Sequence, residues 1–158
     1  SIIQAHNLCY STLITSKELH LHPELKAEVD YETFNLASGS VHFVKAHIRE
    51  SFLSKLLKGW LVKRKSIKKE LAACTDFTLA GVLDKQQLAI KVTCNSVYGF
   101  TGVTHGLLPC LPIAETITFQ GRHMLEKSKK YVEALLPNDV EKITNCKIGC
   151  NPLSKFKV

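Results

Sequence analysis

A chain of 158 residues in which 45% are hydrophobic, 22% charged, 5 proline and 8 glycine is long enough for one domain or parts of two, and its composition excludes a disordered or low-complexity polymer. The formal net charge of +7 and sequence pI near 9.1 point to an acidic partner, of which nucleic acid is the usual one. No apolar run approaches the ~20 residues of a membrane span, and the opening SIIQAHNLCYSTL lacks the basic leader of a signal peptide, so an intracellular protein without a membrane anchor is expected.

Ser1 to Asn7 has helical apolar spacing but no cap or preceding loop, as though the chain begins inside an element. Glu18 to Ser40 is polar and carries Pro23 and Gly39, which reads as a surface excursion followed by a short strand or two; Val41-His42-Phe43-Val44 alternates well enough to be one of them. His20 and His22 would share a side of an extended segment, but no further ligand is implied nearby, so solvated loop histidines are expected. The 6 cysteines lie in apolar or mixed surroundings, which suits reduced thiols better than a disulfide framework. Cys146-x3-Cys150 has the spacing of half a zinc site, yet His105 and His123 are too far apart to complete one.

From Glu50 the period changes. Leu53, Leu56, Leu57, Trp60, Leu61, Ile67 and Leu71 recur at three- and four-residue steps, which predicts a long amphipathic helix, with Gly59 inside it at a cost of about 1 kcal/mol against alanine. Lys63 to Lys69 is the densest basic cluster, and Arg64 and Lys68 share a face. A turn at Thr75 to Thr78 then leads to a second helix through Asp84 to Gly99, DKQQLAIKVTCNSVYG. There Lys91 and Asn95 stand one turn apart with Tyr98 following, so a cation, an amide and a flat ring line one edge, and Gly99 lets the backbone leave the helix or pass close to something bulky.

Two helices joined by a short connection usually lie antiparallel, which brings Arg64, Lys68 and Lys91 near one another across the pair. Three neighbouring cations repel unless an anion completes them, and a triphosphate would do so. Taken singly, each feature has an ordinary reading: the basic run as a solvated helix face, Asn95 as a capping or core amide, Tyr98 as a core aromatic, Gly99 as a helix terminator.

Phe100 to Gly106 reads as a glycine-punctuated exit, and Pro109 and Pro112 frame the start of another helix. The apolar positions Ile113, Ile117, Met124, Leu125, Val132 and Leu135 support that helix as far as Leu136, with basic residues at Lys127, Lys129 and Lys130 and a stop at Pro137-Asn138-Asp139. Lys155 to Val158 looks like the start of a strand.

The pattern Lys91-x3-Asn95-Ser96-x-Tyr98-Gly99 resembles the second conserved motif of family B DNA polymerases. DKQQ before it and FTG after it resemble the herpesviral branch, and VTCNSVYGFTGV its gammaherpesvirus-like group. Ser1 to Leu13 is similar to the residues just after the first catalytic motif in that branch, and TG-x3-G-LPC is similar to the segment that returns the chain to the palm. The resemblance implies an α+β, mostly helical fragment: an antiparallel two-helix fingers hairpin at 44–104 inserted between palm parts at 1–43 and 105–158.

It also implies that Arg64, Lys68 and Lys91 grip the triphosphate of an incoming deoxynucleotide, that Asn95 faces that nucleotide, and that Tyr98 and Gly99 lie beside the nascent base pair. The activity implied is DNA-directed DNA synthesis with two Mg2+ ions. Their carboxylate ligands belong to motifs outside these residues, so no catalytic residue is expected within the chain and the piece alone is expected to be inactive. Primer-template DNA, deoxynucleoside triphosphates and a viral processivity factor are the implied partners, no membrane is, and the host nucleus is the implied compartment. The alternative is a non-catalytic basic helical module that binds nucleic-acid phosphates.

Overall fold

The structure is a computed structural model that describes residues 1–158 apart from 148, 150, 152 and 153. The chain divides into two compact units, 1–118 and 119–158.

The first unit opens with a short helix, α1 (Ile2–Ala5), and a three-stranded antiparallel sheet of order β1-β3-β2, formed by β1 (Leu13–Thr15), β2 (Tyr31–Leu36) and β3 (Gly39–Val44). The expected strand at Val41 to Val44 is therefore the central one. All four of those residues are buried, so its sequence alternation marks register rather than a wet face. Gly39 follows the tight connection between β2 and β3 at a φ of 124°, a backbone that side-chain-bearing residues rarely adopt. Pairing with β3 orders Tyr31–Leu36 within a stretch whose polarity reads as loop, and Phe34 and Phe43 meet edge to face at 5.9 Å.

Two long helices follow, α2 (Phe52–Ala73) and α3 (Phe77–Gly102), packed on each other and joined by only Cys74 to Asp76. The Gly59 position does not break α2. The turn predicted at Thr75 to Thr78 is shorter than its sequence suggests, because the Asp76 side chain accepts from the Thr78 and Leu79 amides and starts α3 at Phe77. Phe100, Thr101 and Gly102 belong to the last turn of α3 rather than to an exit loop.

Buried Leu8, Phe43, Leu53, Leu57, Val97 and Ile113 share one cluster, so the sheet, the base of the helix pair and the first turn of α4 (Leu111–Ala134) form a single core. The tip of the pair lies outside it, with Phe77 94% exposed.

The second unit holds the remainder of α4 and a further helix, α5 (Pro137–Thr144). Pro137 does end α4, as its sequence predicts, and it also occupies the first turn of α5, where its missing N–H is harmless; Asp139 accepts from the Leu136 amide there. Met124 and Leu125 are exposed, unlike Ile113. Lys155 to Val158 is not a strand: none of the described strands pairs with it, and the Val158 amide donates to Glu133 instead. Among the described residues no helix is long and apolar enough to cross a membrane.

Candidate functional site

The helix pair is built on a repeating 3-4 pattern. In α2 the residues turned inward are Leu53, Leu57, Trp60, Arg64, Ile67 and Leu71, and in α3 they are Ala80, Leu83, Gln87, Ile90, Cys94, Val97 and Thr101. This is the spacing of a two-helix seam. Arg64 and Gln87 are two of its polar members and they meet: the guanidinium Nε and Nη2 donate to Gln87 Oε1 at 3.2 and 3.1 Å. Gln87 Nε2 in turn donates to Asp84 Oδ1 at 3.0 Å.

That link sets the register. Arg64 and Gln87 lie nearly equal numbers of residues from the connection, so the two helices run in opposite directions. Lys68 follows Arg64 by four residues and Lys91 follows Gln87 by four. In an antiparallel pair both steps turn toward the same flank, and each advances about 6 Å along the axis, in opposite directions. Lys91, Arg64 and Lys68 therefore form a stripe along one flank, with Arg64 in the middle. Asn95 continues it toward the base and Tyr98 lies one turn further.

Lys68, Lys91 and Asn95 are exposed, and Tyr98 is 41% exposed. Lys68 borders a shallow depression with Leu61, Arg64, Lys65, Lys69 and Ala72. Gly99 departs from its expected role as an exit, since α3 continues to Gly102, and a Cβ placed on Gly99 would meet nothing within 4 Å.

The base of the pair is fixed by side chains that the sequence pattern does not single out. Asn7 is buried in the left-handed region at φ 53°. Its Nδ2 donates to the Val44 and Arg49 carbonyls at 2.7 and 2.8 Å, and its Oδ1 accepts from the Ser51 amide at 2.9 Å. Ser51 caps α2 by accepting from the Ser54 amide and donates to the Leu8 carbonyl. Cys9 is buried beside them. Burial alone would raise its pKa, but hydrogen bonds from Ser11, the Leu53 backbone and Ser51 outweigh that and hold the thiol below its ordinary value.

Gln87 escapes notice in the sequence because an exposed glutamine needs no explanation. The signal that finds it is the 3-4 step of α3, which puts it in line with Leu83 and Val97. Among the described residues no three His, Cys, Asp or Glu side chains come together to hold a metal ion. His22 pairs with Glu24 at 3.3 Å in an exposed segment. Cys9, Cys74, Cys94, Cys110 and Cys146 are free thiols, while Cys150, the other half of the zinc-like spacing, lies outside the described residues.

A lysine-led motif on one helix is thus tied through a partly buried polar link to a basic helix, and the base of the pair shares a core with a small antiparallel sheet. The chain belongs to DNA polymerase family B, whose family model matches residues 1–158. It is 62% identical over 158 residues to the DNA polymerase catalytic subunit of Human herpesvirus 8, covering 100% of this chain and 16% of that protein. Identity to the catalytic subunit of Saimiriine herpesvirus 2 is 60% over 158 residues, with the same coverage of 100% and 16%, and to that of Epstein-Barr virus (strain B95-8) 58% over 154 residues, covering 98% and 15%. The fold is similar to that of the family B DNA polymerase from the hyperthermophilic archaeon Pyrobaculum calidifontis, with a TM-score of 0.66 at 23% identity over 85% of this chain and 16% of that one. The chain thus spans about one sixth of the length of these proteins. The resemblance to gammaherpesvirus polymerases holds over the whole chain, and the stand-alone binding module is left without support.

Proposed function

We propose that these residues form the nucleotide grip of a gammaherpesvirus-like, DNA-directed DNA polymerase. In this reading 44–104 are the fingers, and 1–43 and 105–158 are parts of the palm. Lys91, Arg64 and Lys68 meet the phosphates of an incoming deoxynucleoside triphosphate, Asn95 faces the nucleotide, and Tyr98 and Gly99 flank the nascent base pair. The observation that carries this reading is the Arg64–Gln87 contact between α2 and α3, from which helix periodicity turns Lys68 and Lys91 toward one flank of the pair, with Asn95 and Tyr98 following Lys91. A lysine meets phosphate as a point charge, an arginine as a planar fork, so the two kinds supply both attraction and orientation.

Family membership implies a divalent metal requirement, and a pair of Mg2+ ions would align the primer hydroxyl with the α-phosphate. The described residues do not fit such a pair, since no three potential ligands converge among them. We place its carboxylate ligands in other segments of the polymerase. The 158-residue piece alone is then expected to give no primer extension with magnesium. The partners proposed with this reading are primer-template DNA and a processivity factor, and the compartment proposed is the host nucleus.

The test uses the complete polymerase chain. Lys91→Ala and Arg64→Ala should each raise the KM for deoxynucleotide about 10- to 100-fold, the loss of one charge-assisted contact, while the Kd for primer-template changes little. Equal losses in both quantities would instead mark general attraction to DNA.

A further inference from the structure

Arg64 does not hang free on its helix, and the way it is held leaves one edge for a ligand. A guanidinium carries five N–H donors in a planar fork. Gln87 Oε1 takes the edge formed by Nε and Nη2, at 3.2 and 3.1 Å. The edge formed by Nη1 and the outer hydrogen of Nη2 remains, and that edge can meet a phosphate with two parallel hydrogen bonds.

A glutamine amide can turn either its oxygen or its nitrogen toward a neighbour, and nitrogen facing Arg64 would set donor against donor. Asp84 removes that choice. Its carboxylate only accepts, and its Oδ1 takes the Gln87 Nε2 hydrogen at 3.0 Å, which commits the Gln87 oxygen to Arg64. The three groups form a directed chain from carboxylate to amide to guanidinium across the seam. The neutrality of its middle member matters, because a carboxylate at position 87 would pair with Arg64 as an ion and compete with any phosphate.

We propose that Asp84 and Gln87 are positioning residues that hold the Arg64 guanidinium with its free edge toward the triphosphate of the incoming nucleotide. This rests on the nucleotide-grip reading of the same helix pair. An arginine fixed in advance loses less side-chain freedom on meeting its ligand, so the relay acts on nucleotide affinity rather than on the chemical step.

The experiment is single-nucleotide incorporation by the complete polymerase at saturating primer-template. Gln87→Met keeps the seam filled but removes the acceptor, and should raise the KM for deoxynucleotide about tenfold with kcat and primer-template Kd within about twofold of the parent. Gln87→Glu, which also fills the seam, should raise KM at least as much. Asp84→Asn, whose amide can turn a donor as well as an acceptor toward Gln87, and Asp84→Ala, which offers no acceptor, should each raise KM by an intermediate amount. In an Arg64→Ala background, Gln87→Met should add no more than about twofold, because its effect passes through Arg64. A silent Gln87→Met beside an Arg64→Ala that raises KM overturns the relay alone. A Gln87→Met effect that multiplies in full with that of Arg64→Ala does the same. An Arg64→Ala that leaves KM unmoved overturns the nucleotide reading and the relay with it.

Discussion

Gly99 lies inside α3 with open space where a side chain would stand, so folding and the proposed function make opposite demands on it. For the helix alone, Gly99→Ala should stabilise by about 1 kcal/mol, since glycine is the most costly non-proline residue in a helix interior. If a base pair packs beside Tyr98, the added methyl occupies its space, and kcat/KM for correct nucleotide should fall on the order of tenfold. Slower amide exchange in α3 together with lower kcat/KM would bear out both halves, and unchanged kcat/KM would remove Gly99 from the site. Asn7 is the contrasting residue, with a structural effect expected and no contact to the cation stripe. Asn7→Ala leaves the Val44 and Arg49 carbonyls and the Ser51 amide without their partner, at about 2 to 4 kcal/mol for buried groups. Hydrogen exchange in the complete chain should quicken in β3 and the first turn of α2.

Periodicity carries different information in the two kinds of element. In α2 the steps through Leu53, Leu57, Trp60, Ile67 and Leu71 are visible in the sequence, and the helix they predict runs unbroken through Gly59. That glycine is exposed and a Cβ there would meet nothing within 4 Å, so Gly59→Ala should stabilise α2 by about 1 kcal/mol without touching nucleotide kinetics. Faster exchange in α2, or a changed KM, would show that the glycine serves a bend. The seam of α3 is equally present in the sequence as Leu83, Gln87, Ile90, Cys94 and Val97, but a glutamine interrupts the apolar pattern and hides it. Leu13–Thr15 is too short to announce itself and is a strand because β3 offers it an edge. The start of α5 reads in sequence only as an end, because proline serves equally well as both.

For the whole molecule, the motif on α3 is legible in the sequence and the support beneath it is not, because Asn7, Ser51 and β3 are brought together only by folding. The same support contains a group that makes stability depend on pH. His42 is buried at the centre of the sheet, with Nδ1 at 2.9 Å from Thr33 Oγ1, Nε2 at 3.3 Å from Ser16 Oγ and its ring edge-on to Tyr31 at 5.3 Å. Burial lowers its pKa from the ordinary histidine value. The unfolded chain then takes up a proton first as pH falls through about 6.5, and from there to the lowered folded value it binds more protons than the native state, so stability declines with falling pH. The contribution of neutral His42 is fully present above that window and lost below it. Exchange of the β2 and β3 amides, corrected for intrinsic rates, should therefore show a falling opening free energy from about pH 7 to about pH 5. His42→Gln keeps hydrogen-bonding groups without a titrating ring, so its opening free energy should start lower and depend less on pH. Equal slopes in the two chains would show that the pH dependence does not arise from His42.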